Sequence, residues 1–371
     1  MQPFVEFSME RWQSTYENRV DYNLSESGVH PMTLRELLDL ARVESVDDTL
    51  VGYGQSNGSD ELRARIAALY HGASDANVVA TNGSAEANFV ALWELVEPGD
   101  EVAIVTPAYG QTLGLAPMLG ATVRPIPLRQ ELGWQPDPDD VARGVTGRTK
   151  VLVITNPSNP TGAILTADSR AALVAAASRA GAWIVADEVY TGAELEPPET
   201  PSFFGDYERV LATGSLSKAY GLPGLRVGWV VAPTALAPRL WARTDYTTIS
   251  TGALTDRLAA LALRADVRPL VLHRTRGILR GSLEVLEHWL GDADCFSYLR
   301  PQAGAIAWVR YDLPVNSSRL AERLRAEQSV LVVPGDHFGL DHYLRIGYGL
   351  LSQDLTAALE RVKKVLDTPH A

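Results

Sequence analysis

"KVLVITNPSNPTGAILTADSRAALVAAASRAGAWIVADEVY", Lys150–Tyr190, carries the alternation that decides the fold. Its first run, "KVLVITNP", is short, apolar and rich in β-branched residues, and a proline turn stops it. The segment "TADSRAALVAAASRAGA" then reads as a helix and "AWIVADE" as a second strand. Strand, helix and strand in that order belong to a doubly wound α/β sheet with helices on both faces. Flanking runs extend the pattern: "EVAIVTP" and "ATVRPIPL" precede it, "RVLATGSLS" and "RVGWVVAP" follow it, and "SAEANFVALWELVEPGD" supplies another helix.

Past residue 235 the texture changes. "VRPLVLHRTRGILRGSLEVLEHWLG" reads as one long amphipathic helix, followed by short strands "GAIAWVRYDL", "SVLVVPG" and "YLRIGYG" and a closing helix "SQDLTAALERVKKVLDT". A chain of 371 residues is long for one core, so two domains are expected. The large one covers residues 41–245 with a mixed, mostly parallel sheet. A smaller α+β domain combines residues 1–40 with 246–371.

Composition narrows the function. The formal charge is −12, with 33 basic against 45 acidic residues and no basic block, which argues against nucleic-acid and anionic-membrane partners. One cysteine, Cys295, leaves no disulfide framework or thiolate cluster, and a reducing cytoplasm fits. The opening "MQPFVEFSMERWQ" lacks the basic start and apolar run of a signal peptide, and no apolar run approaches the roughly 20 residues of a membrane span.

In doubly wound sheets ligands gather at the carboxyl ends of the strands, so the residues there are the candidates. "GSAEAN" offers Gly83 for a tight turn and Ser84 at a helix start, a natural phosphate site or a plain cap. "PAYG" presents Tyr109, whose ring could stack on a flat ligand or pack in the core. "NPSNPTG" fixes a rigid turn that positions Asn159. "DEVY" places Asp187 directly after an apolar strand, where a carboxylate needs a cationic or hydrogen-bonding partner, and sets Tyr190 nearby. "SLSKAYGLPGLRVGW" supplies Ser215, Ser217, Lys218 and Arg226. Among uncharged groups and beside Arg226, the charged form of Lys218 is expected to be disfavoured, which makes its amine a nucleophile able to condense with an aldehyde.

Jointly these residues meet the needs of pyridoxal 5'-phosphate (PLP): an amine for its aldehyde, an acid for its ring nitrogen, an amide for its phenolic oxygen and a cradle for its phosphate. Other chemistries lack their signatures. "GLPGLRVG" precedes a strand where a dinucleotide fingerprint must follow one, and there is no GxxxxGK[ST] loop, HExxH or GxSxG. No metal site is expected.

With "YGQSNGSDELRARIA", "VVPGDHFG" and "YLRIGYG" added, the chain resembles the fold-type I PLP enzymes of the class I/II aminotransferase family over nearly its whole length. The resemblance implies the PLP-dependent transferase fold and a role for each residue. Lys218 forms the cofactor aldimine and then moves the Cα proton, leading to a quinonoid intermediate. Asp187 holds the pyridine nitrogen, Asn159 and Tyr190 the phenolic oxygen, and Tyr109 stacks on the ring. Gly83, Ser84, Ala85, Ser215, Ser217 or its neighbour, and Arg226 hold the phosphate. Arg345 pairs with the substrate carboxylate. Tyr53 reaches the phosphate of the partner subunit, which implies a homodimer with shared active sites.

The segment "DYNLSESGVHPMTLREL" departs from most of the family. Gly28, flanked by Ser25, Glu26, Ser27 and His30, gives a pattern similar to that of the capreomycidine synthases, which cyclise a hydroxylated arginine derivative by elimination at Cβ. A turn and helix cap would favour the same residues. If Glu26 faces the substrate it suits a cationic side chain. The expected activity is therefore cyclisation or β/γ-elimination on a cationic amino acid, in specialised biosynthesis. Simple transamination and γ-elimination from S-adenosylmethionine stand as alternatives. A non-catalytic PLP-binding regulator is the reading of a different class, and the acidic charge argues against it.

Overall fold

The computed structural model describes residues 4–368; residues 1–3 of the opening stretch, which belong to the expected N-terminal part of the smaller domain, and residues 369–371 lie outside them. Among the described residues β1 (Tyr22–Asn23) is followed by β2 (Val78–Thr81), β3 (Glu101–Thr106), β4 (Thr122–Arg129), β5 (Gln135–Pro136), β6 (Thr149–Thr155), β7 (Trp183–Asp187), β8 (Val210–Ser215) and β9 (Gly228–Val231). Strands β2 to β9 form one sheet in the order β2-β9-β8-β7-β6-β3-β4-β5. The central pairs are parallel, whereas β9 runs antiparallel to β8 and β2, and β5 to β4.

Successive side chains of a strand face opposite ways, and here each face meets its own core. Val151 and Val153 pack with the helix Ser84–Leu95, and Leu152 and Ile154 with the helix Ala167–Ala180. That two-sided burial is why the strands read as unbroken apolar runs. Thr166 caps the second helix by accepting from Ser169 N, and Gly181, at φ 65°, ends it.

The order reverses between β3 and β6, which are hydrogen-bonded neighbours although β4 and β5 lie between them in sequence. Such a reversal opens a crevice at the carboxyl ends of the two strands. Tyr109 follows β3 there and Asn159 follows β6.

Beyond the sheet come β10 (Phe296–Tyr298), β11 (Ile306–Tyr311), β12 (Val330–Leu331), β13 (Val333–Pro334) and β14 (Tyr343–Gly347). Four of them form an antiparallel sheet, β10-β11-β14-β13, accompanied by the helices Arg268–Gly291, Ser317–Gln328 and Ser352–Leu366. The run "SVLVVPG", expected as one strand, is two. β12 pairs parallel with β1 and β13 antiparallel with β14, because the Val332 carbonyl between them accepts from Trp12 Nε1 at 2.9 Å instead of joining a ladder.

The N-terminal segment is pinned to this smaller part and reaches across to the larger one. Gly347 N donates to Leu24 O (2.7 Å) and His30 N to Gly349 O (2.6 Å), while Met32 N donates to Gly221 O (2.8 Å) in the turn after β8. A Cβ on Gly347 would come within 2.1 Å of Glu26 O, and one on Gly349 within 2.2 Å of Gly28 O. Both glycines are thus required for the loop 24–28 to lie across the end of β14.

Candidate active site

A cavity of about 390 Å³ opens at the carboxyl ends of β3, β6 and β7. Its wall brings together Glu26, Ser84, Ala85, Tyr109, Asn159, Asp187, Tyr190, Ser217, Lys218, Arg226 and Arg345. Gly28, Gly83 and Ser215 stand just behind that wall.

Asp187 ends β7 and is buried. It accepts from Asn88 Nδ2 at 2.8 Å and from Val189 N at 3.2 Å. Asn88 is in turn oriented by Thr213, whose Oγ1 donates to Asn88 Oδ1 at 2.7 Å. Burial pushes the Asp187 carboxyl up to about 6, with those hydrogen bonds and the charge of Lys218 only partly opposing it. Among the described residues no cation pairs directly with it, so the carboxyl is free to meet a cationic group of a ligand.

Lys218 corrects the sequence-based expectation. Its Nζ donates to Glu26 Oε1 at 2.7 Å, with the two side chains about a quarter and two-fifths exposed. Desolvation lowers the ammonium pKa, but the charges of Glu26 and Tyr190 and the hydrogen bond to Glu26 outweigh it, and the net shift is upward. The charged form is favoured. The like charge that acts on Lys218 is that of Arg345, not the neighbouring Arg226. Glu26 is held down at about 2, chiefly by Lys218 and then, against desolvation, by hydrogen bonds from Lys218 and the N–H groups of Ser27 and Gly28. A Cβ on Gly28 would meet Ser217 O at 3.2 Å, so the glycine lets the loop lie on the lysine turn.

An anion cradle lies beside the lysine. The helix Ser84–Leu95 begins after Gly83, at φ 79°, with no side-chain cap, and its first residues, Ser84 and Ala85, line the cavity. A Cβ on Gly83 would fall 2.3 Å from Arg226 Nη2, which measures how closely the guanidinium approaches that turn. Arg226 Nη1 donates to Pro223 O (3.1 Å) and lies 3.5 Å from Ser217 Oγ. Ser215 Oγ accepts from Ser217 N at 3.2 Å, so Ser215 shapes the turn while Ser217 lines the cavity. Beneath it, Gly228 of β9 passes so close that a Cβ would meet Gly83 C at 2.4 Å.

Arg345, in β14, is 1% exposed. Its Nη1 donates to Asn159 Oδ1 (3.0 Å) and its Nη2 to Ser25 O (2.5 Å), but Nε has no partner among the described residues. Desolvation lowers its pKa. Tyr109 donates to Glu10 Oε2 at 3.1 Å and packs edge-on against Phe7, and Tyr190 is buried with its pKa raised by desolvation.

Tyr53 is the exception. It is 93% exposed in a protruding segment with Leu50 and Val51 and is absent from the cavity wall of its own chain.

The cavity also contains residues not expected from the sequence: Asn88, Ser27, Thr155, and Met9, Glu10, Gln13 and Glu17 from the helix Ser8–Tyr16 and its C-cap. Asn88 lies one helical turn beyond Ser84, within "GSAEAN". Positions 10, 13 and 17 share one helix face, a signal visible in "MERWQSTYE".

The donor set fits PLP. An uncapped helix start with Arg226 and Ser217 suits a phosphate, a buried carboxylate without a cation suits a protonated ring nitrogen, and the lysine lines the same cavity.

Comparison with known proteins agrees. The family model for aminotransferase class I and II matches residues 22–362. The chain is 36% identical over 368 residues to a capreomycidine synthase from Streptomyces vinaceus, covering 98% of this chain and 94% of that protein. It is 29% identical over 334 residues to the arginine–pyruvate transaminase AruH of Pseudomonas aeruginosa, covering 86% and 84%. Among solved structures, a PLP-dependent aminotransferase from Streptococcus suis superposes with a TM-score of 0.93 at 32% identity, covering 99% of this chain and 100% of that one. The PLP-dependent cyclase OrfR gives a TM-score of 0.90 at 27% identity, covering 99% and 98%.

Proposed function

The chain belongs to the aminotransferase class I and II family of PLP-dependent enzymes, and from that premise we propose that it converts an α-amino acid with a cationic side chain, an arginine derivative, by β/γ-elimination or cyclisation in a specialised biosynthetic pathway. The observation that carries the reading is the carboxylate of Glu26, held inside the cavity against Lys218 at 2.7 Å, in a cavity whose wall also bears Arg345. An amino acid with a charged end for each partner suits that wall. Similarity to a capreomycidine synthase over 98% of the chain and to a PLP-dependent cyclase supports it.

When bound, PLP supplies an electron sink for negative charge developing at the substrate Cα. The residues that would hold it are Ser84, Ala85, Ser217 and Arg226 at the phosphate, Asp187 at the ring nitrogen, Asn159 and Tyr190 at the phenolic oxygen, and Tyr109 at the ring face. Asn88 and Thr213 keep Asp187 aimed. Arg345 binds the α-carboxylate through its planar fork, which lysine could not reproduce. Lys218 carries the proton to and from Cα. Glu26 keeps that amine charged until it is engaged and then faces the substrate cation, where a charge-assisted contact contributes about 1.5–3 kcal/mol.

Tyr53 would reach the cavity of a second copy, giving a cytoplasmic homodimer with shared sites. Its exposure supports this arrangement, and among the described residues no helix is long and apolar enough to cross a membrane.

Transamination of arginine is the second reading, favoured by the similarity to an arginine–pyruvate transaminase. A substrate panel tests the proposal. kcat/KM for arginine and its hydroxylated derivatives should exceed that for norleucine and aspartate by at least tenfold, with S-adenosylmethionine as the rival cation. Equal turnover of neutral amino acids would reject the cationic class.

A further inference from the structure

We infer that the last turn of the helix Ser8–Tyr16, through the carboxylate of Glu17, forms a subsite for the guanidinium of the substrate side chain; this rests on the cationic-substrate reading above. Glu17 is the C-cap of that helix, and its carboxylate lines the cavity. Among the described residues it accepts no hydrogen bond and makes no ion pair. Its surroundings are negative: burial, then the charges of Glu26 and Glu10, raise its pKa, and only Lys218 opposes them. The helix C-terminus adds its own partial negative charge, and the last turn carries no basic residue to offset it.

Gln13 is buried one turn earlier. Its Nε2 donates to Ser25 O at 2.8 Å and to Ser25 Oγ at 3.2 Å, which ties the helix to the loop carrying Glu26.

A second, independent observation marks the other end of the ligand. Arg345 is 1% exposed, lines the same cavity with its Nε unpartnered, and touches the start of the same helix, Nη1 lying 3.5 Å from Met9 Sδ. Arg345 Nη2 and Gln13 Nε2 both donate to Ser25 O, so the guanidinium lies beside Gln13, and Glu17 follows one turn, about 6 Å, further along the helix. A ligand that pairs with both Arg345 and Glu17 therefore bears a carboxylate and a cation with several atoms between them. A planar guanidinium with several N–H groups matches the two oxygens of the Glu17 carboxylate better than a compact ammonium does.

The test is calorimetric binding to the PLP-loaded enzyme of 5-guanidinovalerate, which lacks the α-amino group and cannot react, against its neutral ureido counterpart. Wild type should prefer the guanidino compound by tenfold or more. Glu17→Gln should cut that preference about tenfold, and Glu17→Asp, which keeps the charge, should retain part of it. Full preference in Glu17→Gln would overturn the subsite and leave the cationic-substrate reading standing. No preference in wild type would overturn both.

Discussion

Lys218 Nζ donates to Glu26 Oε1 across 2.7 Å, joining the turn after β8 to a loop 192 residues earlier in the chain. The contact exists because Gly347 and Gly349 let that loop lie across the end of β14 and Gly28 lets it lie on the lysine turn. It ties the protonation of the lysine to the N-terminal segment.

Replacing Glu26 by Gln should lower the pKa of Lys218. The substitution removes the charge and weakens the hydrogen bond that raise it, leaving only Tyr190 to raise it against desolvation, the largest influence, and Arg345, both of which lower it. A free amine is needed to capture an aldehyde. The cofactor-free Glu26→Gln enzyme should therefore take up PLP faster than wild type at pH 7, with the pH midpoint of the uptake rate shifted down. Stopped-flow absorbance reads this directly, and an unchanged midpoint would refute the coupling.

The cofactor-free protein should lose stability as pH rises through the range of its buried carboxyls. Desolvation raises Asp187 to about 6 and Glu188 to about 7, although hydrogen bonds to each oppose it. A group whose pKa is higher folded than unfolded stabilises the fold below its unfolded value, and that contribution is lost as pH climbs through the folded value. Relative to Asp187→Asn, wild type should lose about 3 kcal/mol between pH 4 and pH 7, the equivalent of roughly two pK units. Urea unfolding at several pH values tests this. A constant difference would show that Asp187 is not desolvated.

Gly83→Ala should weaken PLP and spare pyridoxal. The new methyl would occupy the space of Arg226 Nη2, and the backbone at φ 79° disfavours any side chain. Displacing the guanidinium removes a charge-assisted bond to phosphate, about tenfold or more in affinity. Pyridoxal lacks that phosphate, so its Kd should change far less. Equal losses for both ligands in absorbance titrations would mean that the turn holds the ring rather than the phosphate.

The sheet was legible because strands buried on both faces read as unbroken apolar runs, and the residues at their ends were legible because the chain must stop there: Asp187 directly after "WIVA", Asn159 in a turn fixed by prolines. The pairing of Lys218 was not, since local composition showed only uncharged neighbours and Arg226 while the partner arrives from a distant loop. Asn88 escaped notice although it lies within a quoted motif, because its work is to aim Asp187 and that contact crosses between a helix and a strand. Gln13 and Glu17 sit on a short helix whose polar face looks like an ordinary solvated one until the fold turns it inward. Tyr53, expected at the phosphate of a partner subunit, is exposed and off the cavity wall of its own chain.

The most direct test of the central claim is the mass of the product formed from β-hydroxylated arginine by the PLP-loaded enzyme. Elimination and cyclisation remove the hydroxyl and keep the amino nitrogen, so the product should be lighter than the substrate by one water, and its formation should vanish in Lys218→Ala. A keto acid that retains the hydroxyl and has lost its amino group, formed together with an aminated co-substrate, would contradict that claim and assign the chain to transamination.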